Sequence, residues 1–315
     1  MSFDLLLENL LSPPVLFFAL GALAAAVRSD LVLPEHVTRF LGQLLLVVIG
    51  LSGGKAVAAG GISGEILAAG AVALVSGVLL PLVFYPILKR FLKREDSAAV
   101  AATFGSCSAV TFMTAIAFLE ARGNAYSGAM TAVLALLEAP AIVVGISLAR
   151  GLKSADRAKV LHESALNGAV LLLLGSMLIG GLIRGPSAGQ FMDFISESKL
   201  PLLSLFMLDM GLLAAGKAGG LLEAGWRLVV FALLAPVVLW FVGMGASSVI
   251  GLGVGDALLL TMLIASASYI AVPAALRISV PEANPGIYVP PALALVFPVN
   301  VAFGIPLVYA LVSST

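Results

Sequence analysis

Apolar residues run along this chain in long stretches separated by short polar joints. A helix needs about 20 such residues to cross roughly 30 Å of hydrocarbon. Ten runs approach that length: Pro13–Ala26, Leu41–Val57, Ile66–Leu88, Ala98–Leu119, Tyr126–Leu148, Leu166–Ile183, Leu200–Ala215, Ala224–Ile250, Ala257–Leu276 and Ile287–Val312. The first, second and seventh are short. None alternates apolar and polar positions as barrel strands do, so the pattern predicts helices throughout.

Composition supports this reading. Of 315 residues, 61% are hydrophobic and 11% charged, against roughly 25% charged in soluble domains. Mean hydropathy is +1.13. A soluble globule of this size could not hide so much apolar surface. An ordinary cytosolic enzyme, a disulfide scaffold and a disordered chain are excluded. The net charge of zero gives no footprint for nucleic acid. Cys107 is the only cysteine, so no intrachain disulfide forms.

The 17 Lys and Arg orient the spans. Thirteen fall on one side of a ten-span topology: Arg28, Arg39, Lys89, Arg90, Lys93, Arg94, Arg150, Lys153, Arg157, Lys159, Lys217, Arg227 and Arg277. Four fall on the other: Lys55, Arg122, Arg184 and Lys199. The positive-inside rule places the larger set in the cytoplasm and both termini outside. Asp4 and Glu8 precede the first run with no base, unlike a secretory signal, so that run is expected to be retained.

The two halves echo one another. GLSGGKA from Gly50 returns as GLLAAGKA from Gly211, and SCSAV from Ser106 as SASYI from Ser266. Asn124 and Tyr126 are echoed by Asn284 and Tyr288, and Pro140 by Pro298. The offsets stay nearly constant (217 − 55 = 162, 266 − 106 = 160, 284 − 124 = 160, 298 − 140 = 158). Residues 1–150 thus form one five-span repeat, 151–163 a short cytoplasmic linker and 164–315 a second repeat. Five is odd, so the second copy enters the membrane inverted. Inverted repeats mark secondary transporters, with the site near the midplane.

Two carboxylates lie inside spans, Glu138 in LLEAPAIV and Asp209 in LFMLDMGLL, and no Lys or Arg lies at comparable depth. Intramembrane acids cost at least about 2.5 kcal/mol to insert and mark function by default. Either can also be protonated and structural. Acids without basic partners suit Na⁺ or a proton.

The fourth and ninth runs each carry a Ser-x-Ser pair, Ser106 with Ser108 and Ser266 with Ser268. In a continuous helix, residues two apart point about 200° away from each other. An unwound helix lets both face one site, and Gly105 and Pro273 favour such breaks. Half-helix N-termini there would aim positive dipole ends at an anion. Small residues also permit close helix packing. Tyr269 adds a hydroxyl at the second break.

Gly211–Ala218 begins like a phosphate loop but has Ala218 where Ser or Thr binds Mg²⁺. His36 and His162 fall in loops, so no transition-metal site and no Ser-His-Asp set is readable. No cofactor is expected, Na⁺ being cargo that couples transport.

At these segments the sequence resembles the SbtA-type sodium-dependent bicarbonate transporters of cyanobacteria. The resemblance rests on IGLSGGKAV at Ile49–Val57, FGSCSAVTF at Phe104–Phe112, LLEAPAIV at Leu136–Val143 and LRISVPEANPGIYV at Leu276–Val289. It implies an all-α integral membrane protein: ten transmembrane helices as two inverted five-helix repeats, with the fourth and ninth broken. It implies a homotrimer in a bacterial inner membrane and Na⁺-coupled bicarbonate uptake. It places substrate between the two breaks, at Gly105, Ser106, Cys107, Ser108 and Thr111 on one and Ser266, Ala267, Ser268 and Tyr269 on the other. Glu138, standing where the family has Asp before Ile-Pro, is the expected coupling acid. With Ser108 and Ser268 it forms the expected Na⁺ site, and Asp209 is a second candidate acid. The family pattern has Asp where this chain has Tyr269. Its long insert after the fifth helix is here the short basic loop Arg150–Glu163, and a PII-like regulatory protein is an implied partner. The alternatives are a Na⁺- or H⁺-coupled carrier of another small organic anion, a cation/proton antiporter and, with less support, an intramembrane enzyme or a channel.

Overall fold

The computed structural model describes residues 3–151 and 168–314. Linker residues 152–163, with Lys153, Arg157, Lys159 and His162, lie outside the described residues, as do Leu166 and Asn167 at the start of the sixth run. Among the described residues every regular element is helical. Among the described residues seven helices are long and apolar enough to cross a membrane.

The N-terminal half contains α1 (Phe3–Leu10), α2 (Pro13–Ala26), α3 (Glu35–Gly60), α4 (Gly64–Leu88), α5 (Arg94–Gly105), α6 (Ala109–Ala121) and α7 (Met130–Arg150). The C-terminal half contains α8 (Gly168–Leu182), α9 (Pro186–Lys217), α10 (Gly219–Ala224), α11 (Trp226–Ile250), α12 (Val254–Ala265) and α13 (Ala271–Ser279). A final helix, α14 (Pro285–Val312), completes it.

The runs that look short belong to longer helices with polar ends. The second lies within the 26-residue α3, which starts at Glu35 and His36. The seventh lies within the 32-residue α9, whose first half carries Asp193, Glu197 and Lys199. The first is joined to α1 through a 61° bend, and Pro13 opens α2, where its missing N–H costs no helix bond.

The fourth and ninth runs are broken, as their serines predict. α5 stops at Gly105 and α6 starts at Ala109; α12 stops at Ala265 and α13 starts at Ala271. The last helix departs from the expected regular pattern. It widens to π-helical turns over Ala292–Val296 and Asn300–Gly304. Pro298, within this stretch, lacks the amide a regular ladder needs, and widened turns of this kind occur often at functional sites.

The helices sort into two bundles. In the first, α2 lies along α9, α3 along α8, and α3 also meets α9. Glycines let these backbones touch. A Cβ on Gly21 would overlap the Leu208 carbonyl, and one on Gly211 the Phe18 carbonyl. Gly54 meets Met177, and Gly180 meets Leu51, in the same way. Close backbone approach is how helices gain attraction in lipid, where burying apolar surface against apolar surface gains little. The second bundle groups α4, α5 and α7 with α11, α12, α13 and α14. At its centre α6 packs on α12, and α13 packs on α7 and α5. The α5–α6 pair is almost wholly buried, which suits its small residues from Ser97 to Ala102.

Candidate functional site

The two breaks meet. Ser106 and Ser108 have extended backbones (φ −102°, ψ −175° and φ −111°, ψ 112°), and so has Ser266 (φ −86°, ψ 175°). The Ser106 and Ser266 amides still close the last turns of α5 and α12, and beyond them the breaks free the Ser108 and Ser268 amides to bridge the segments. The Ser108 N–H donates to Ser266 Oγ at 2.9 Å. The Ser268 N–H donates to the Thr103 carbonyl at 2.9 Å. Equivalent positions of the two halves are thus each tied to the opposite half.

Ser108 is the N-cap of α6, its Oγ accepting the Thr111 N–H at 3.1 Å. Ser268, two residues before the N-cap of α13, accepts the Val272 N–H of that helix's first turn on its Oγ at 3.2 Å. Ser108 Oγ also reaches the Tyr269 hydroxyl at 3.4 Å. The Tyr269 ring stands edge-on to Phe297, which stands edge-on to Phe18 of the first bundle, both at 5.5 Å.

Gly105 makes its break possible by close approach rather than by unusual dihedrals, since a Cβ there would collide with the Pro81 ring of α4. Pro273 sits in the first turn of α13, where no amide donor is required.

Among the described residues several buried hydroxyls have no partner: Thr103 Oγ1, Ser106 Oγ and Thr111 Oγ1 around the fourth-segment break, and Thr261 Oγ1 one turn before the ninth-segment break, against Gly243 of α11. An orphaned buried donor or acceptor costs about 1–3 kcal/mol and calls for an explanation. The α6 and α13 N-termini favour negative charge here, and the ends of α5 and α12 favour positive charge. The crossing therefore suits an anion and a cation side by side.

Glu138 is half-buried in the middle of α7, close enough to Cys107 to act on it electrostatically. The Cys107 thiol donates to the Leu134 carbonyl at 3.7 Å, joining the first break to α7. Pro140 removes the amide that would pair with the Leu136 carbonyl, leaving an acceptor one turn away. Asp209 is placed elsewhere. It is buried on α9 beside Thr38 of α3, with Oδ2 unpartnered, and is not joined to the crossing.

Two cavities lie beside the crossing. One of about 430 Å³ lies among α1, α2, α6 and α9, bordered by Asn9, Arg122 and Lys199 and reaching Met113 and Thr114 of α6. Another of about 210 Å³ lies among α3, α6 and α7 and shares Met113, Ile116 and Lys199. Neither reaches Ser106 or Ser266, which stay buried. Both stop about one turn from Thr111, at the side where the charge pattern predicts the exterior. Ion pairs border these cavities: Lys199 with Glu120 at 2.9 Å and Arg122 with Glu8 at 2.8 Å. The Tyr126 hydroxyl donates to the same Glu120 oxygen at 2.7 Å. Burial first, then the Glu120 carboxylate, push the Tyr126 phenol far above its usual range.

The structure also uses residues that the sequence reading passed over. Asp96 and Asp256 bond to backbone amides of the opposite half. Their spacing, 256 − 96 = 160, matches that of the repeated serines. Asn300 is wholly buried in α14, and its signal was a lone amide in an apolar run.

The fold and this site define a polytopic helical membrane protein with a polar crossing enclosed between its helices. The chain belongs to the Na⁺-dependent bicarbonate transporter superfamily, whose description matches residues 13–313, nearly the whole chain. No curated protein matches it.

Proposed function

We propose that this protein is a Na⁺-coupled bicarbonate symporter that works by alternating access, with ten spans in two inverted repeats. The observation that carries this reading is the reciprocal bonding of the two breaks, Ser108 to Ser266 and Ser268 to Thr103, among buried hydroxyls without partners. Family membership supplies the cargo class.

In this reading bicarbonate enters from the cavity beside Lys199 and Arg122. It binds at Ser106, Cys107, Ser108 and Thr111 opposite Ser266, Ala267, Ser268 and Tyr269. The dipoles of α6 and α13 offset its charge. Na⁺ binds at Glu138 with Ser108 and Ser268, where hydroxyls and carbonyls supply the oxygen ligands a hard cation prefers. The pair moves through the membrane without a deep Lys or Arg. The second bundle rocks against the first, and the inward Na⁺ gradient drives release. Asp209, in the other bundle, stands outside the coupling site. The protein sits in the inner membrane as a homotrimer with both termini outside.

A test is thermal stability of the purified protein. Na⁺ and bicarbonate together raise the melting temperature more than the sum of either alone, because each binds better once the other is present. Additive or absent shifts would remove the coupled site. Tyr269 favours a second reading, in which the cargo is another small anion, because the family pattern has Asp at that position. Competition of uptake by a panel of carboxylates separates the two.

A further inference from the structure

The last helix of each half carries a polar side chain beside a break, Glu138 on α7 and Asn300 on α14. Glu138 neighbours Cys107, just past the end of α5. Asn300 Nδ2 donates to the Ala265 carbonyl, the last of α12, at 2.9 Å. Asn300 Oδ1 accepts the Trp240 indole N–H of α11 at 2.7 Å. Asn300 is fully buried and held from both ends, whereas Glu138 has no hydrogen-bond partner among the described residues. The π-helical turn at Asn300–Gly304 shapes this arrangement. Gly304 leaves room for it, since a Cβ there would come within 2.9 Å of Asn300 Oδ1 and of the Trp240 ring.

We propose that Asn300 is the positioning residue of the ninth-segment break. By holding the Ala265 carbonyl it sets the adjacent Ser266 hydroxyl, which receives the Ser108 amide and so aligns the first break. The ninth-segment break is thus held by a fixed amide, while Glu138, beside the first break, has no hydrogen-bond partner among the described residues and stays open to a coupling cation. The role in transport rests on the symporter reading above; the role in alignment does not.

The test compares Asn300→Leu with Trp240→Phe. Asn300→Leu keeps the volume and removes both bonds. Trp240→Phe removes the indole donor and leaves the Ala265 bond in place. In reconstituted uptake, Asn300→Leu raises the KM for bicarbonate about tenfold with maximal rate within twofold, and Trp240→Phe leaves KM within twofold. Independently of transport, the rate at which a membrane-permeant maleimide modifies Cys107 in purified protein rises at least fivefold in Asn300→Leu, because the first break loosens when Ser266 shifts. Wild-type KM and wild-type labelling in folded Asn300→Leu would overturn the proposal. So would equal KM changes in both variants. If Asn300→Leu yields no folded protein, Asn300→Asp, which keeps the acceptor for Trp240 and changes the group facing Ala265, is read by the same criteria. Faster labelling in a protein that fails to move bicarbonate would uphold the positioning role and count against the cargo instead.

Discussion

Asp96 and Asp256 perform the same task from opposite ends of the crossing. Asp96 Oδ1 accepts the Asn284 N–H at 2.8 Å, and Asp256 Oδ1 accepts the Ser127 N–H at 2.7 Å. Each stands in the first turn of a helix that leads into a break, α5 or α12. Each grips the joint before the last helix of the other half. The half-helices are therefore anchored at their outer ends as well as where they cross.

Removing either anchor should weaken the fold. A hydrogen bond to a charged group contributes about 1.5–3 kcal/mol. Asp96→Ala and Asp256→Ala should each lower the melting temperature by several degrees, with the double variant close to additive because the sites are far apart. Thermal unfolding in detergent measures this. An unchanged melting point in both variants would show that the bonds add nothing.

Ser266→Ala deletes the acceptor for the Ser108 amide and leaves that buried N–H without a partner. Uptake should fall at least tenfold while the protein remains folded, since an orphaned buried amide costs about 1–3 kcal/mol, less than the roughly 5–15 kcal/mol that holds a typical fold. Initial rates in vesicles, compared with melting curves, separate the two effects.

Glu138→Gln keeps shape and removes charge. If Glu138 helps hold Na⁺, the half-saturating Na⁺ concentration should rise about tenfold or more while bicarbonate affinity at saturating Na⁺ changes little. A Na⁺ titration of uptake reads this directly. Unaltered Na⁺ dependence would remove Glu138 from the coupling site.

Lys199 borders both cavities and pairs with Glu120, with side chains 16% and 40% exposed. Met keeps most of the packing of the Lys199 stem, and Glu120, partly exposed, keeps water and the Tyr126 hydroxyl as partners, so Lys199→Met should lower the melting point only slightly. It should slow uptake at low ionic strength and matter less at high, where salt screens the attraction of an anion toward the entrance. Equal slowing at both ionic strengths would argue for a packing role.

Much of this architecture was legible in the chain, for physical reasons. Apolar length located the helices, because a bilayer demands it. The paired serines located the breaks, because Ser-x-Ser cannot face one site from a regular helix. Other features depended on partners distant in sequence. Asp96 and Asp256 read as ordinary helix-start acids until their shared 160-residue spacing is set beside the amides they hold. Asn300 gains meaning only from Trp240 and Ala265, and the π-helical turns around it have no periodic signature. Asp209 reads like Glu138 in sequence, as an acid in an apolar run. Only packing separates them, one beside Cys107 at the break and the other beside Thr38 in the opposite bundle.

The most direct measurement of the central claim is uptake of labelled bicarbonate into proteoliposomes under an inward Na⁺ gradient, an inward K⁺ gradient, or neither. The account predicts accumulation with Na⁺ alone, lost in Ser266→Ala. Equal uptake under all three conditions, or none in folded and correctly inserted protein, would contradict it.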